Sequence, residues 1–260
     1  MAGYLEMIEA ALDAVLPKAA ERPAVLAEAM RWAVEGGGKR IRPQICLAAA
    51  VAAGGRAEDA LMPACAIEVL HSFTLVHDDI PAMDNDAMRR GKASVWAKFG
   101  EANAVLAGDA LQALAFELAA RAPRNVPAIV AELALRTVGV VRGQVEDIAL
   151  ARGGGADAAT VDFVYERKTA DLFMAAAVMG ALAAGAAEEH VARLRGFALH
   201  LGLAFQYEDD LLDGDSPYGR EETERLVKEH TGAAVAALEG LPGDTSFLAS
   251  LASRLAVRTA

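Results

Sequence analysis

Two aspartate clusters stand far apart in this chain: Asp78-Asp79-Ile80-Pro81-Ala82-Met83-Asp84, followed by Asp86, and Asp209-Asp210-Leu211-Leu212-Asp213. Each ends an apolar run, Val69 to Val76 in the first case and Phe197 to Tyr207 in the second. If these runs are buried helices, their carboxylates lie at C-termini, where the macrodipole disfavours negative charge. Something cationic must then offset the repulsion. Hard oxygen ligands of this kind suit Mg²⁺, which takes one or two carboxylates and shares the rest of its shell with water and substrate phosphates. The chemistry implied is the holding of a polyphosphate through metal bridges.

Spacing sharpens this reading. Asp209 and Asp213 are four residues apart, so a helix places them on one face, with Asp210 pointing elsewhere. Pro81 interrupts the helix between Asp78 and Asp84, which lets the chain curl so that both ends address one point. The main basic constellation is Gly36-Gly37-Gly38-Lys39-Arg40-Ile41-Arg42-Pro43. Its glycines permit close backbone approach to an anion, and Lys39 and Arg42 supply a point charge and a bidentate fork. It lacks the Walker pattern, which disfavours a nucleotide P-loop. Arg89-Arg90-Gly91-Lys92 follows the first acidic cluster closely, either as salt-bridge partners or as an outer clamp on a diphosphate.

Further polar residues interrupt apolar surroundings: His71, Asp109, Gln144 with Asp147, Lys168-Thr169, and Gln206. His71 lies two helical turns before Asp78 and shares its face. Glu68 and His71 also form the Glu-x-x-His element of carboxylate-bridged di-iron bundles. That site needs a second copy, and none is present.

The elements that must position these groups read as helices. Apolar residues recur at three- and four-residue spacing almost throughout, giving helices at about 3–16, 22–35, 43–53, 58–79, 94–120, 126–151, 159–185, 189–213, 220–239 and 244–258. No stretch alternates as a strand should. Breaks fall at Pro17, Gly36 to Gly38, Gly54-Gly55, Pro81, Pro123, Gly153 to Gly155, Ser216-Pro217 and Pro242-Gly243, none long enough for an interdomain linker. One all-α domain over residues 1–260 is the expectation. The composition agrees, being 54% hydrophobic but only 5% aromatic, which favours helix over strand.

A formal charge of −11 argues against nucleic acid and anionic membrane surfaces, so an anionic substrate would be drawn by local basic clusters. Cys46 and Cys65 accompany no metal-binding spacing and read as buried free thiols in a reducing compartment. The acidic start of the chain does not resemble a signal peptide. No segment reads better as a membrane span than as a core helix, so a soluble cytoplasmic protein is expected.

Taken together these motifs resemble the trans-isoprenyl diphosphate synthases, the polyprenyl synthetase family. The matching elements are Gly37 to Pro43, His77 to Asp86, Arg89 to Gly91, Gly108-Asp109, Gly143 to Asp147, Lys168-Thr169 and Phe205 to Asp213. The resemblance implies a bundle of ten or more helices around a deep apolar cavity, paired as a homodimer, with the acidic motifs facing each other across the mouth. It implies that Asp78, Asp84 and Asp209 are principal ligands of three Mg²⁺ ions, with Asp79 and Asp213 supporting and Asp210 nearby. Arg89, Lys168, Thr169 and Gln206 would contact an allylic diphosphate. Lys39, Arg42, His71 and Arg90 would hold the diphosphate of isopentenyl diphosphate.

The activity implied is ionisation of the allylic diphosphate, attack by the isopentenyl alkene, and loss of a proton. Phe73 and Thr74, one turn before Asp78, are expected to form the cavity floor. The bulk of Phe73 resembles the bacterial farnesyl type, so a C15 product within a C10 to C20 range is expected. One departure stands out. Members of the family carry Gly-Lys after the second cluster and then a Lys-containing stretch, whereas here Gly214-Asp-Ser-Pro-Tyr-Gly-Arg220 runs straight into Glu221. Arg220 is expected to replace the first of those lysines. Two other readings share these residues: a class I terpene cyclase, which needs no second diphosphate site, and a non-catalytic or partner-dependent subunit of a heteromeric prenyl synthase.

Overall fold

The structure, a computed structural model, describes residues 2–153, 157–214 and 216–255. The break expected at Gly154-Gly155, Asp215 of the segment after the second cluster, and the end of the last expected helix lie outside the described residues. The helices in chain order are α1 (Ala2–Val15), α2 (Ala24–Val34), α3 (Ile41–Ala52), α4 (Leu61–Asp78), α5 (Val95–Phe99) and α6 (Glu101–Ala119). There follow α7 (Val126–Ala151), α8 (Ala158–Val164), α9 (Asp171–Ala184), α10 (Glu188–Asp213), α11 (Arg220–Ala237) and α12 (Ser246–Leu255). The all-α expectation holds.

At the centre lies α9. From Asp171 to Ala183 all but one of its residues are buried. A helix apolar on every side must be surrounded, and α9 packs against α3, α4, α7 and α10. Its small side chains allow that crowding. At Gly180 an added Cβ would lie 2.1 Å from the Cys46 carbonyl oxygen, so α3 and α9 touch backbone to backbone. α4 is apolar and long enough to pass a membrane-span test together with the 3-10 turn Ala57–Ala60. Yet 67% of that window is buried within the bundle, which marks it as a core helix.

Three local features depart from the periodicity. The expected helix at 94–120 breaks at Gly100 (φ 88°), giving α5 and α6. The expected helix at 159–185 changes pitch in the middle: Tyr165–Ala170 form a π-turn between α8 and α9. Two short strands, β1 (Met88–Arg89) and β2 (Lys92–Ala93), pair antiparallel where no strand was expected. Their connection is Arg90-Gly91, both at positive φ (51° and 75°), as a two-residue type I′ hairpin requires. Strands of two residues leave no alternation to read. The indole of Trp32 on α2 donates to the Ala93 carbonyl at 2.9 Å, fastening this hairpin to the bundle.

Gly180→Ala tests the backbone contact at the core. Overpacking there is expected to destabilise the protein by roughly 1–3 kcal/mol, read as a lowered thermal midpoint. An unchanged midpoint would mean that α3 and α9 can separate freely.

Candidate active site

The first acidic cluster starts at the last residue of α4 and folds back on itself. The Asp84 amide donates to the Asp78 carbonyl at 2.9 Å, and the Asn85 amide to Ile80 at 3.1 Å, with Asn85 in the left-handed region. Asp78 and Asp84 are thereby brought to one end of α4. The Asp78 carboxyl is pushed up to about 6, chiefly by burial; Lys168 pulls it down and the Asp84 carboxylate pushes it up. Asp79 is only 3% exposed and takes a different partner, the guanidinium of Arg89, whose Nε lies 2.9 Å away. Arg89 also reaches Asp86 at 3.4 Å. It is thus a brace for the acidic loop, set by β1.

Its neighbour Arg90 turns to the other side. The Arg90 side chain donates to the Gly37 carbonyl and lies over Gly38, which brings the hairpin to the basic segment. Gly36 to Arg42, His71, Arg89, Arg90, Phe205 and Asp209 line one cleft of about 800 Å³. The residues expected to grip one diphosphate, Lys39, Arg42, His71 and Arg90, are therefore together, and Asp209 of the second cluster shares their wall.

Within that wall the guanidinium of Arg42 rests on the ring of Phe173, 4.8 Å from its centre, with Nη1 3.4 Å from His71 Nε2. Burial, assisted by Arg90, lowers Arg42 to about 10, so it stays charged at neutral pH. Burial and the neighbouring arginines push His71 well below its ordinary value, so it stays neutral. Arg42 Nε and His71 Nδ1 are buried without a hydrogen-bond partner. Buried donors in that state cost free energy until something accepts from them, which fits an anion at this spot.

Arg40 does not belong to the cleft's working face. It sits in the left-handed region (φ 47°) and donates to Glu68 at 2.6 Å, Glu9 at 2.8 Å and the Val34 carbonyl at 2.8 Å. It binds α1, α2 and α4 together, and it occupies the Glu68 carboxylate that matched a di-iron element.

The second cluster closes α10. Asp209 lines the cleft and Asp213 is exposed at the helix end, one turn on. Asp210 is buried, its carboxylate accepting from Tyr165 Oη at 2.5 Å and Gln206 Nε2 at 3.0 Å. Gln206 Oε1 in turn accepts from Thr169 Oγ1 at 2.8 Å. Lys168, on the π-turn, contacts Asp147 of α7 at 2.6 Å and acts on Asp78 through its charge. Both amide atoms of buried Gln144 lack partners. Arg220 is not brought to the cleft; it is exposed on the first turn of α11 and pairs with Glu224 at 3.0 Å. Phe73 is buried with its ring edge-on to His77, centres 4.9 Å apart, while Thr74 lies one turn below Asp78 on the same face. Tyr165 and Phe173 escaped the sequence reading, because their partners Asp210 and Arg42 are remote in the chain.

An all-α bundle with carboxylates at two helix ends beside a basic cleft is of the isoprenoid synthase type. The polyprenyl synthetase family profile matches residues 23–224. A geranylgeranyl diphosphate synthase of Cyanophora paradoxa is 43% identical over 215 residues, 80% of this chain and 71% of that protein. A heterodimeric geranylgeranyl pyrophosphate synthase large subunit 1 (chloroplastic) of Arabidopsis thaliana is 44% identical over 222 residues, 80% of this chain and 58% of that protein. The chain thus spans between about half and seven-tenths of the curated relatives it matches. An apo FPP/GFPP synthase structure from Zymomonas mobilis superimposes with a TM-score of 0.90 at 33% identity, covering 96% of both chains. The chain belongs to the polyprenyl synthetase family of prenyl-transferring enzymes.

The raised Asp78 value gives a signed expectation for the metal-free protein. Between the ordinary value of 3.8 and about 6 the folded chain keeps a proton that the unfolded chain has released, so stability is lost as pH rises through that window. Asp78→Asn removes the penalty. Its thermal midpoint in chelator should exceed the parent's by roughly 5 °C at neutral pH, with the gain fading as pH falls through 6 and gone near 4. A gain that persisted at pH 4 would assign it to packing instead.

Proposed function

We propose that the protein condenses an allylic diphosphate with isopentenyl diphosphate in a Mg²⁺-dependent 1′-4 prenyl transfer. The observation that carries this reading is the shared wall: Asp209 lines the same cleft as Lys39, Arg42, His71 and Arg90. A metal-bound leaving diphosphate and a second, cation-bound diphosphate would then lie side by side. Retention of that second basic set argues against a class I terpene cyclase, which needs only the metals.

The donor set fits the ion: hard carboxylate oxygens of Asp78, Asp84, Asp209 and Asp213 would hold Mg²⁺, with Asp79 bracing the loop through Arg89. When bound, Mg²⁺ supplies positive charge that stabilises the departing diphosphate. Lys168, Thr169 and Gln206 orient the allylic diphosphate from the π-turn and α10. Arg42, Lys39 and Arg90 fix the isopentenyl diphosphate, and neutral His71 offers a ring nitrogen beside Arg42. The apolar flanks of α4, α9 and α10 exclude water from the allylic cation. Positioning does most of the work, and no protein nucleophile is required.

For product length we propose C20, longer than the C15 that Phe73 suggested. Two considerations support it. Both curated relatives named above are geranylgeranyl diphosphate synthases. The small Thr74 sits beneath Asp78, while the Phe73 ring is engaged by His77. We propose a homodimer formed through the exposed apolar stripe of α7 (Leu135, Val138, Val141, Val145) and its neighbours Val105 and Leu106 on α6, since patches of this kind are rarely left to water. A cytoplasmic location is proposed with it. The Arabidopsis relative's heterodimeric name favours a second reading, a subunit that works with a longer homologue.

Purified protein given Mg²⁺, geranyl diphosphate and isopentenyl diphosphate is expected to yield a C20 diphosphate by mass, and Asp209→Ala to lose at least about 10³ of that rate while keeping its helical circular dichroism. No elongation by folded parent protein would sink the proposal, and activity that returned only with an added homologue would establish the second reading. Thr74→Phe is expected to shift the main product from C20 to C15; an unchanged distribution would place the floor elsewhere.

A further inference from the structure

The π-turn Tyr165–Ala170 interrupts a long helical run from α8 to α9, and it carries Lys168 and Thr169. A π-turn is uncommon and less favourable than the α-helix it replaces, so contacts on its flanks must hold it. Two close backbone approaches do so. A Cβ at Gly143 of α7 would lie 2.5 Å from the Lys168 amide nitrogen, and one at Gly202 of α10 would lie 2.6 Å from Ala170 Cα. Beyond the turn, Asp171 is wholly buried against Arg136, which also holds Glu132, at 2.7 and 2.8 Å.

The side facing α10 is closed by four side chains. Tyr165 Oη donates to one oxygen of Asp210 at 2.5 Å, Gln206 Nε2 donates to the other at 3.0 Å, and Thr169 Oγ1 donates to Gln206 Oε1 at 2.8 Å. Tyr165 and Thr169 are one turn apart on the π-turn, and Gln206 and Asp210 one turn apart on α10. The result is a circuit of three hydrogen bonds whose two ends, Tyr165 and Thr169, are joined only through the backbone of the π-turn. Asp210 is 7% exposed and needs those donors, since a buried carboxylate left unpaired costs several kcal/mol. The Tyr165 ring is itself held edge-on by Tyr207, whose hydroxyl reaches Asp162 of α8 at 3.3 Å. Tyr218, in the short connection after the second cluster, donates to the same Asp162 at 2.5 Å.

We propose that Tyr165 is a positioning residue for the allylic diphosphate subsite: it fixes Asp210, which aims Gln206 and thereby Thr169. The proposal rests on the prenyl-transfer reading for the identity of the ligand, while the circuit rests on the contacts alone. Asp210 belongs to this circuit, so the adjacent aspartates of α10 divide their work, with Asp209 toward the cleft and Asp210 toward the turn.

The test uses the full-length protein with Tyr165→Phe, Asp210→Asn and the double variant. Tyr165→Phe is expected to raise KM for geranyl diphosphate about tenfold while KM for isopentenyl diphosphate stays within about twofold, because only one subsite abuts the turn. Asp210→Asn is expected to weaken the dependence on Tyr165, so the double variant should be no worse than the poorer single one. Equal rises in both KM values, or additive losses in the double variant, would overturn the proposal. Thermal midpoints of the same set in chelator separate this from failure of the functional reading. Coupling between the two sites, with calorimetric binding of inorganic pyrophosphate and Mg²⁺ weakened about tenfold by Tyr165→Phe, supports positioning even if the parent does not elongate prenyl chains. Independent midpoints and unaltered pyrophosphate binding would refute it.

Discussion

The cost of bringing carboxylates to the ends of two buried helices governs the rest of this structure. α4 and α10 both finish in aspartates, where the backbone already presents negative partial charge and where burial makes ionisation harder. One acid of each adjacent pair is satisfied internally: Asp79 by the guanidinium of Arg89, and Asp210 by hydrogen bonds from Tyr165 and Gln206. Of the others, Asp209 lines the basic cleft and Asp78 meets Asp84 at the end of α4. The hairpin, the π-turn and the basic segment can all be understood as devices that allow this uneven division.

The basic side follows a complementary rule. Arg40 and Arg42 are two residues apart, yet one is saturated by carboxylates and the other rests on an aromatic face. A guanidinium held by a ring keeps its full charge for an incoming anion, whereas one held by Glu9 and Glu68 has spent its donors on the fold. Charge alone therefore does not identify a ligand-binding residue; the chemistry of its support does. The same reasoning places Arg220, paired with Glu224 on an exposed turn, outside the cleft.

Much of this was legible in the sequence because it is periodic or local. Apolar spacing gave the helices, the interval from Asp209 to Asp213 gave a common face, and Pro81 forecast the curl that returns Asp84 to Asp78. What escaped was either too short or too distant. The β1–β2 hairpin is too brief to show alternation, and the π-turn keeps an apolar pattern that reads as one uninterrupted helix. The roles of Arg40, Tyr165 and Phe173 depend on partners far away in the chain, which no spacing rule reveals. The proposed product length differs from the expected one for a related reason: Phe73 and Thr74 are neighbours in sequence but lie on different faces of α4.

The π-turn has a consequence for how this chain can vary over evolutionary time. A wide turn inside a helix acts as a slip in phase, so that α9 is rotated relative to the course α8 alone would set. A turn closed by i→i+5 rather than i→i+4 hydrogen bonds takes up one extra residue, so deleting one residue between Tyr165 and Ala170 would let the run close as ordinary α-helix with α8 and α9 keeping their facing. The loss would fall on the turn itself, whose widened backbone sets Lys168 and Thr169 between α7 and α10. The flanking helices can absorb that change in length; the residues on the turn cannot.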